Sequence, residues 1–298
     1  MLKQIKKSSS WNFICIGMIV LQGIIYGLLD APAKLVFEQV PVYSFLAVRY
    51  LISTIVMLLI WQKSIITELK SVPIRKYLIP CISTAAAFII CNVALEYTSA
   101  TNMAFIRSLS ALIAPLLLVI FYKQKYHFKT AMVHVLLVIG LYLLCAQGSL
   151  SQFGIGEILA FLSATLVAAS LVFGKEALQH ISAVTLSWTQ AFAAGIMCFL
   201  VGITQDVFGS TNWNAFQQPI VFGTLIYAAL LVTVGGYLLQ NVALNYISPK
   251  LVGVLQCIYP IVGAIAAYFL LDEKMTIAGI IGSVIIIICI CLESIMEI

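Results

Sequence analysis

The chain has 298 residues, 62% of them hydrophobic and 9% charged, with a formal net charge of +5. Average soluble domains carry about 25% charged residues, so an ordinary soluble protein is excluded. The positive balance is spread in a way that reports membrane orientation and argues against nucleic-acid binding.

A bilayer core of about 30 Å needs roughly 20 mostly apolar residues per helical crossing. Such runs are expected at 12–30, 42–61, 77–97, 101–122, 130–147, 155–174, 184–204, 219–246, 250–271 and 275–292. The first follows Lys3, Lys6 and Lys7, and Ala31-Pro32-Ala33 imitates a signal-peptide cleavage site. Its apolar stretch from Trp11 to Leu29 exceeds the ~7–15 residue core of a secretory signal. It is read as a permanent span. Short connections join the runs, punctuated by "SLSQFGIG" at 149–156 and "DVFGSTNWNAFQQP" at 206–219.

This pattern predicts an all-α integral membrane protein of ten transmembrane helices. Residues 1–11 form an N-terminal segment, 12–147 a first five-helix repeat, 148–154 a linker and 155–298 a second five-helix repeat. With the N-terminus cytoplasmic, twelve Lys and Arg residues fall in inside segments, and only Lys34 and Lys274 fall outside. The positive-inside rule then places both termini in the cytoplasm and the chain, as a multi-pass protein, in the cytoplasmic (inner) membrane.

The repeat is written in the chain. "NVALEYTS" from Asn92 returns as "NVALNYIS" from Asn241, 149 residues later, with six of eight positions identical. The polar matches Asn92/Asn241, Tyr97/Tyr246 and Ser99/Ser248 argue for duplication over coincidence. A weaker echo pairs the segment from Lys34 with that from Lys175, aligning Arg49 with Gln190. Five spans per half force the second half to enter the bilayer from the opposite side, and such inverted repeats recur in secondary transporters.

These features resemble the drug/metabolite transporter superfamily, EamA type, over essentially the whole chain. The resemblance rests on the ten spans, on "AVRY" in the second span and on "LEYTSATNMAFIRSLSALIAPLL" at the third-to-fourth junction. Its counterpart in the second half is "LNYISPKLVGVLQCIYPIVGAIAAYFLLDEKMTIAGIIG". Asp272-Glu273-Lys274 stands where the family usually has Gly-Glu-Lys/Arg, Lys123-Gln124-Lys125 departs from that pattern, and Arg107 sits where many relatives are uncharged. The resemblance implies a basket of helices around a cavity formed by spans 1, 3, 4, 6, 8 and 9, and a small polar or amphipathic metabolite as substrate.

Residues three, four and seven apart share a helical face. Ala85, Ile89, Asn92 and Glu96 in span 3, Met103, Arg107, Ser110, Ala111 and Ala114 in span 4, Val234, Leu238, Asn241 and Asn245 in span 8, and Gly253, Gln256, Pro260 and Gly263 in span 9 are the expected cavity stripes. Arg107 is the first candidate for substrate contact, because an arginine near mid-span costs about 2.5–3.5 kcal/mol on insertion scales and needs a partner. A guanidinium grips a carboxylate or phosphate with two parallel hydrogen bonds. An internal salt bridge to Glu96 is the alternative. Asn92, Asn241, Ser110, Gln256, Tyr26 and Tyr259 complete the candidate substrate wall, the two tyrosines lying beside Gln22 and Gln256. Arg49 is expected to make a structural contact to a loop carbonyl or a headgroup.

Glu96 and His134 are the candidate proton carriers. Pro115 and Pro260 are candidate helix breaks or gates, and Gly23 to Gly27, a GxxxG pattern, is expected to bring two helices close. Asp30, Glu157 and Glu176 read as solvated or capping groups. All eight cysteines fall in spans, no CxxC occurs, and Cys289 and Cys291 point to different sides of one helix, so buried packing is expected and no metal site. Walker, HExxH and GxSxG patterns are absent, so neither a cofactor nor an enzyme activity is indicated.

The sequence thus points to a secondary transporter of small polar metabolites such as amino acids, amines or related compounds, some carrying an anionic group, working by alternating access. A nucleotide-sugar exchanger of the same superfamily is the alternative. An intramembrane lipid-acting enzyme or a scaffold are alternatives of other classes. The expected partners are a small-molecule substrate and membrane lipid, with no nucleic acid, in a monomer or homodimer.

Overall fold

The computed structural model describes residues 9–95, 97–98, 100–146, 154–205, 207–271 and 276–297. Helix α1 (Ser9–Phe37) is followed by α2 (Val42–Ser71), which starts directly after Pro41 and kinks at Trp61 (φ −117°, ψ 26°). Span 3 is α3 (Leu78–Leu95), and span 4 is built from α4 (Ala100–Ser108) and α5 (Ser110–Tyr122). Helix α6 (Phe128–Leu141) continues into a π-helical turn at Tyr142–Ala146.

The second half begins with α7 (Ile155–Ala177) and α8 (Ala183–Thr204), whose N-cap Ser182 accepts from the Thr185 backbone N–H. After the short α9 (Val207–Ser210), span 8 is α10 (Pro219–Ile226), a π-helical stretch Tyr227–Gly235, and α11 (Gly236–Leu244). Span 9 is α12 (Pro249–Gln256) plus α13 (Ile258–Leu271), and span 10 is α14 (Ile277–Glu297). Among the described residues nine helices are long and apolar enough to cross a membrane, and the shorter apolar Leu78–Ala94 supplies the tenth. Helices α1 and α2 overrun the apolar runs expected to end at 30 and 61: the extension of α1 buries Ala31, Ala33 and Val36 against the bundle, and that of α2 carries Lys63, Glu68 and Lys70.

Outward faces are apolar and open. Leu59, Phe128 and Ile277 are 76%, 78% and 79% exposed, as residues turned to lipid are. Lipid tails are as apolar as leucine, so helices are held by close packing at small residues instead of by water exclusion. Gly23 and Gly27 do this as their spacing predicts. A Cβ on Gly23 falls 2.0 Å from Ile258 Cγ2, and one on Gly27 falls 2.7 Å from Val262 Cβ and 2.9 Å from the Gly263 nitrogen. The α6–α14 contact has the same character, a Cβ on Gly282 lying 2.5 Å from the Gly140 carbonyl oxygen.

The two inverted repeats pack on one another through their equivalents. Span 2 lies on span 7, span 4 on span 9 and span 5 on span 10, while span 3 takes span 6 and span 1 takes span 8. At one of these crossings Gly253 would meet the Ala111 Cα at 3.0 Å. Arg49 and Gln190 show the symmetry atom by atom. Arg49 Nε donates to Thr233 Oγ1 at 2.8 Å, and Gln190 Nε2 donates to Thr84 Oγ1 at 3.1 Å. Thr84 and Thr233 are themselves 149 residues apart. Arg49 is therefore structural, but its partner is a threonine inside the bundle and not a loop carbonyl or headgroup. The arginine is 5% exposed and its guanidinium also sits 5.4 Å from the Tyr50 ring centroid. In the same region α2 satisfies the loosened π-helical backbone, Ser53 Oγ donating to the Ala229 carbonyl at 3.0 Å.

One end of the bundle is heavily cross-linked. Lys250 pairs with buried Glu293 at 2.6 Å, the Ser248 N–H and hydroxyl donate to Glu297 at 2.6 and 2.5 Å, and Lys175 Nζ donates to the Ile247 carbonyl at 3.1 Å. Tyr122 donates to Glu176, and Glu68 receives both the backbone N–H and the hydroxyl of Ser182. Glu176 is thus a partner group and not a merely solvated one. At the opposite end Glu157 caps α7, accepting from the Gly154 N–H at 2.8 Å and from Thr98 at 2.5 Å.

Candidate functional site: a central polar cavity

Between the two halves lies a cavity of about 110 Å³, room for several waters. Its walls come from α1, α3, α4, α5, α7, α8, α11, α12 and α13. Spans 1, 3, 4, 6, 8 and 9 all contribute, and span 7 joins them through Gln190.

One wall is a closed triangle of amides. Gln22 on α1 donates to Gln240 on α11 at 3.0 Å, and Gln256 on α12 donates to both, at 2.8 Å to Gln240 and 3.2 Å to Gln22. Buried amides are stable only when their donors and acceptors are used, and here each glutamine finds the other two. Tyr26, one turn along α1 from Gln22, lies so close to α11 that a Cβ on Gly236 would touch its ring at 2.3 Å.

The facing wall carries charge. Arg107 on α4 lines the cavity, its guanidinium carbon 5.8 Å from the Phe88 centroid and 5.8 Å from the Tyr259 centroid. Such aromatic contacts favour a cation by about 0.5–2 kcal/mol, yet they leave its planar donors unused. Among the described residues no salt bridge to Arg107 is found, and Glu96, the alternative partner, lies outside the described residues. The carboxylate whose field reaches Arg107 is Asp30 on α1, which takes a side-chain hydrogen bond from Tyr259. Asp30 is thus a partner of Tyr259 and not the solvated or capping group that its place at a span end suggests.

Arg107, Ser110, Tyr26, Gln256 and Tyr259 all line the cavity. Asn92 and Asn241 do not. Asn92 Nδ2 donates to the Phe88 carbonyl at 2.8 Å within its own helix. Asn241 is fully buried and donates at 2.9 Å to both Ser187 Oγ and Gln190 Oε1, tying α11 to α8. The expected stripes on spans 3 and 8 are therefore turned by one residue. Thr84, Ala87, Phe88 and Cys91 face the cavity in place of Ala85, Ile89 and Asn92, and Tyr237 and Gln240 do so in place of Leu238 and Asn241. Each residue of a helix is rotated by about 100° from the last, so one step moves a side chain from a cavity to a packed neighbour.

His134 also lies elsewhere. It is 1% exposed and its Nδ1 shares a 2.7 Å hydrogen bond with the Tyr126 hydroxyl, away from the cavity lining. Pro260 is buried, and span 9 breaks one turn before it at Cys257, whose N–H bonds the Val254 carbonyl at 3.0 Å. Proline lacks the N–H that the Gln256 carbonyl would have received and crowds that carbonyl, so the helix yields there. Span 4 breaks differently. The interruption falls at Leu109, and α5 runs unbroken through Pro115. Six cysteines are buried as expected, Cys257 among them although it borders the cavity, while Cys91 is a half-buried residue of the cavity wall and Cys291 is exposed. Among the described residues no group of three His, Cys, Asp or Glu side chains could hold a metal ion.

The fold and cavity define a multi-pass membrane protein of two inverted five-helix repeats around a polar hollow. The EamA-like transporter family matches residues 13–146 and 154–295, one match per repeat, and the chain belongs to that family. It is 25% identical over 205 residues to an uncharacterized transporter of Archaeoglobus fulgidus, an alignment covering 68% of this chain and 63% of that relative. The aligned part thus spans less than two thirds of the relative's length. One crystal structure superposes on 97% of the chain and 98% of its own with a TM-score of 0.80 at 12% identity, which shows a shared fold. Family and relative both carry the name of transporters, and neither name specifies a substrate.

Proposed function

We propose that this protein is a secondary-active transporter of small polar metabolites carrying an anionic group, amino acids foremost, working by alternating access between its two halves. The observation that carries this reading is Arg107, a guanidinium on the cavity wall whose described neighbours are aromatic faces and whose hydrogen-bond donors remain for a ligand. A carboxylate entering the cavity meets a planar two-pronged donor on the wall that also carries Ser110. The aromatic rings of Tyr26, Phe88 and Tyr259 supply the apolar remainder of the pocket. Both termini are proposed to face the cytoplasm, the cross-linked, lysine-bearing end of the bundle being the inner one.

The test is counterflow. Purified protein in liposomes preloaded with unlabelled L-amino acids should take up label from an external pool of 14C-labelled L-amino acids, and the recovered label should be chemically unchanged. Uptake no greater than in empty liposomes, or label recovered as a new compound, refutes the reading.

A further inference from the structure

We infer that Asp30 is the proton-carrying residue of the transport cycle, and that Tyr259 relays its protonation state to Arg107 in the cavity; this rests on the transporter reading above. Four observations lead there. Asp30 is a carboxylate within the membrane-length helix α1, with part of its side chain left uncovered by the protein. Its carboxylate faces α13, Oδ2 standing 3.4 Å from where a Gly263 Cβ would be. It accepts from Tyr259 and lies in the field of Arg107 and Cys91. Finally, Tyr259 lines the cavity whereas Asp30 does not, so the tyrosine stands between carboxylate and ligand space.

The chemistry of the three groups then couples them. A phenol has one proton to donate, and an ionised carboxylate only accepts. With Asp30 ionised, the Tyr259 proton is committed to it, and the carboxylate balances the Arg107 charge. When a proton binds Asp30, the carboxyl becomes a donor, Tyr259 can turn its own O–H towards the cavity, and Arg107 is left as an unbalanced cation facing it. An anionic group entering the cavity restores neutrality. One proton and one carboxylate-bearing substrate are thereby taken up together, and leave together when the cavity opens to the other side.

The charged and titratable groups around Asp30 are few. Tyr259 faces it from α13, Arg107 from α4 and Cys91 from α3, while Tyr26 and Lys34 lie on α1 itself. Arg107 is permanently charged, and the phenols and thiol ordinarily hold their protons below pH 8. This leaves Asp30 as the group among them suited to gain and lose a proton in the working range.

Proteoliposomes loaded with a pH-sensitive dye and supplied with the pool of 14C-labelled L-amino acids separate the two roles. In the unmodified protein an imposed pH gradient should drive label above its equilibrium level, with a matching movement of protons. Asp30→Asn should abolish both while counterflow at symmetric pH persists, and Asp30→Glu should restore them. Infrared difference spectra of the solubilised protein across a pH titration should show a protonated-carboxyl band that Asp30→Asn removes. The inference is overturned if Asp30→Asn still accumulates label against a pH gradient. It is equally overturned if counterflow disappears along with accumulation, which makes Asp30 a substrate contact or a packing residue. Absence of counterflow in the unmodified protein is a separate result, and it refutes the transporter reading itself.

Discussion

The two walls of the cavity occupy equivalent places in the two repeats and are built from different chemistry. Gln256 is the counterpart of Arg107 and Gln240 that of Cys91, each 149 residues on. Gln22 closes the amide triangle from α1, where the opposite wall has Ser163 on α7. Neutral amides that bond to one another leave little for a ligand to satisfy, so that wall is a finished surface. The wall with Arg107 is unfinished, a cation lodged between rings. The scaffold occurs twice, and a few inward positions give its two copies different walls.

The comparison can be broken most directly at Arg107. Arg107→Gln makes the charged wall resemble its neutral counterpart, and it should cut counterflow of carboxylate-bearing amino acids roughly 10–100-fold, since hydrogen bonds to charged groups contribute about 1.5–3 kcal/mol. A change confined to the maximal rate with unaltered half-saturation would place the arginine in gating and not in ligand contact. Packing comes next. Gly27→Leu inserts a side chain where even a Cβ has 2.7–2.9 Å, and overpacking of about 1–3 kcal/mol should lower the melting temperature in detergent; an unchanged melt would mean that α1 and α13 are not closely packed.

The repeated asparagines sharpen the comparison further. Asn241→Ala leaves Gln190 Oε1 without its Asn241 donor, a loss of about 1–3 kcal/mol visible as a lower melting temperature. Asn92→Ala removes one intrahelical bond and should cost about 0.5–1.5 kcal/mol. Equal destabilisation by the two would show that both halves use this residue alike. Of similar size to Asn92→Ala is Ser53→Ala, which takes one donor from the π-helical stretch at Ala229; a shift of about 1 kcal/mol in the same melting assay is expected, with counterflow retained.

Much of this was legible in the sequence because membranes simplify the code. Ten apolar runs, an odd number per repeat and the returning "NVAL" phrase led to inverted five-helix units, and an arginine in an apolar span marked the charged wall without further help. The inward faces of α3 and α11 lie one step from the stripes drawn through the repeated asparagines. Those asparagines recur as polar groups inside the helical bundle, and a buried amide between helices looks in sequence like a cavity amide. Gln190 and Gln240 carried the same polar signal as Gln22 and Gln256 and were passed over. Asp30 was lost for another reason. It fell at the expected end of span 1, and nothing in the apolar run showed that α1 continues to Phe37, carrying that carboxylate along the side of α13 rather than out of the bundle.

The thiol at position 91 has a practical corollary. Six of its seven fellow cysteines are buried, Cys257 among them although it borders the cavity at 2% exposure, and the remaining one, at 291, is on the exposed surface of α14. A membrane-impermeant maleimide therefore has a native attachment point inside the hollow itself. The side from which it labels that point reports which mouth stands open, without engineering a probe into the chain.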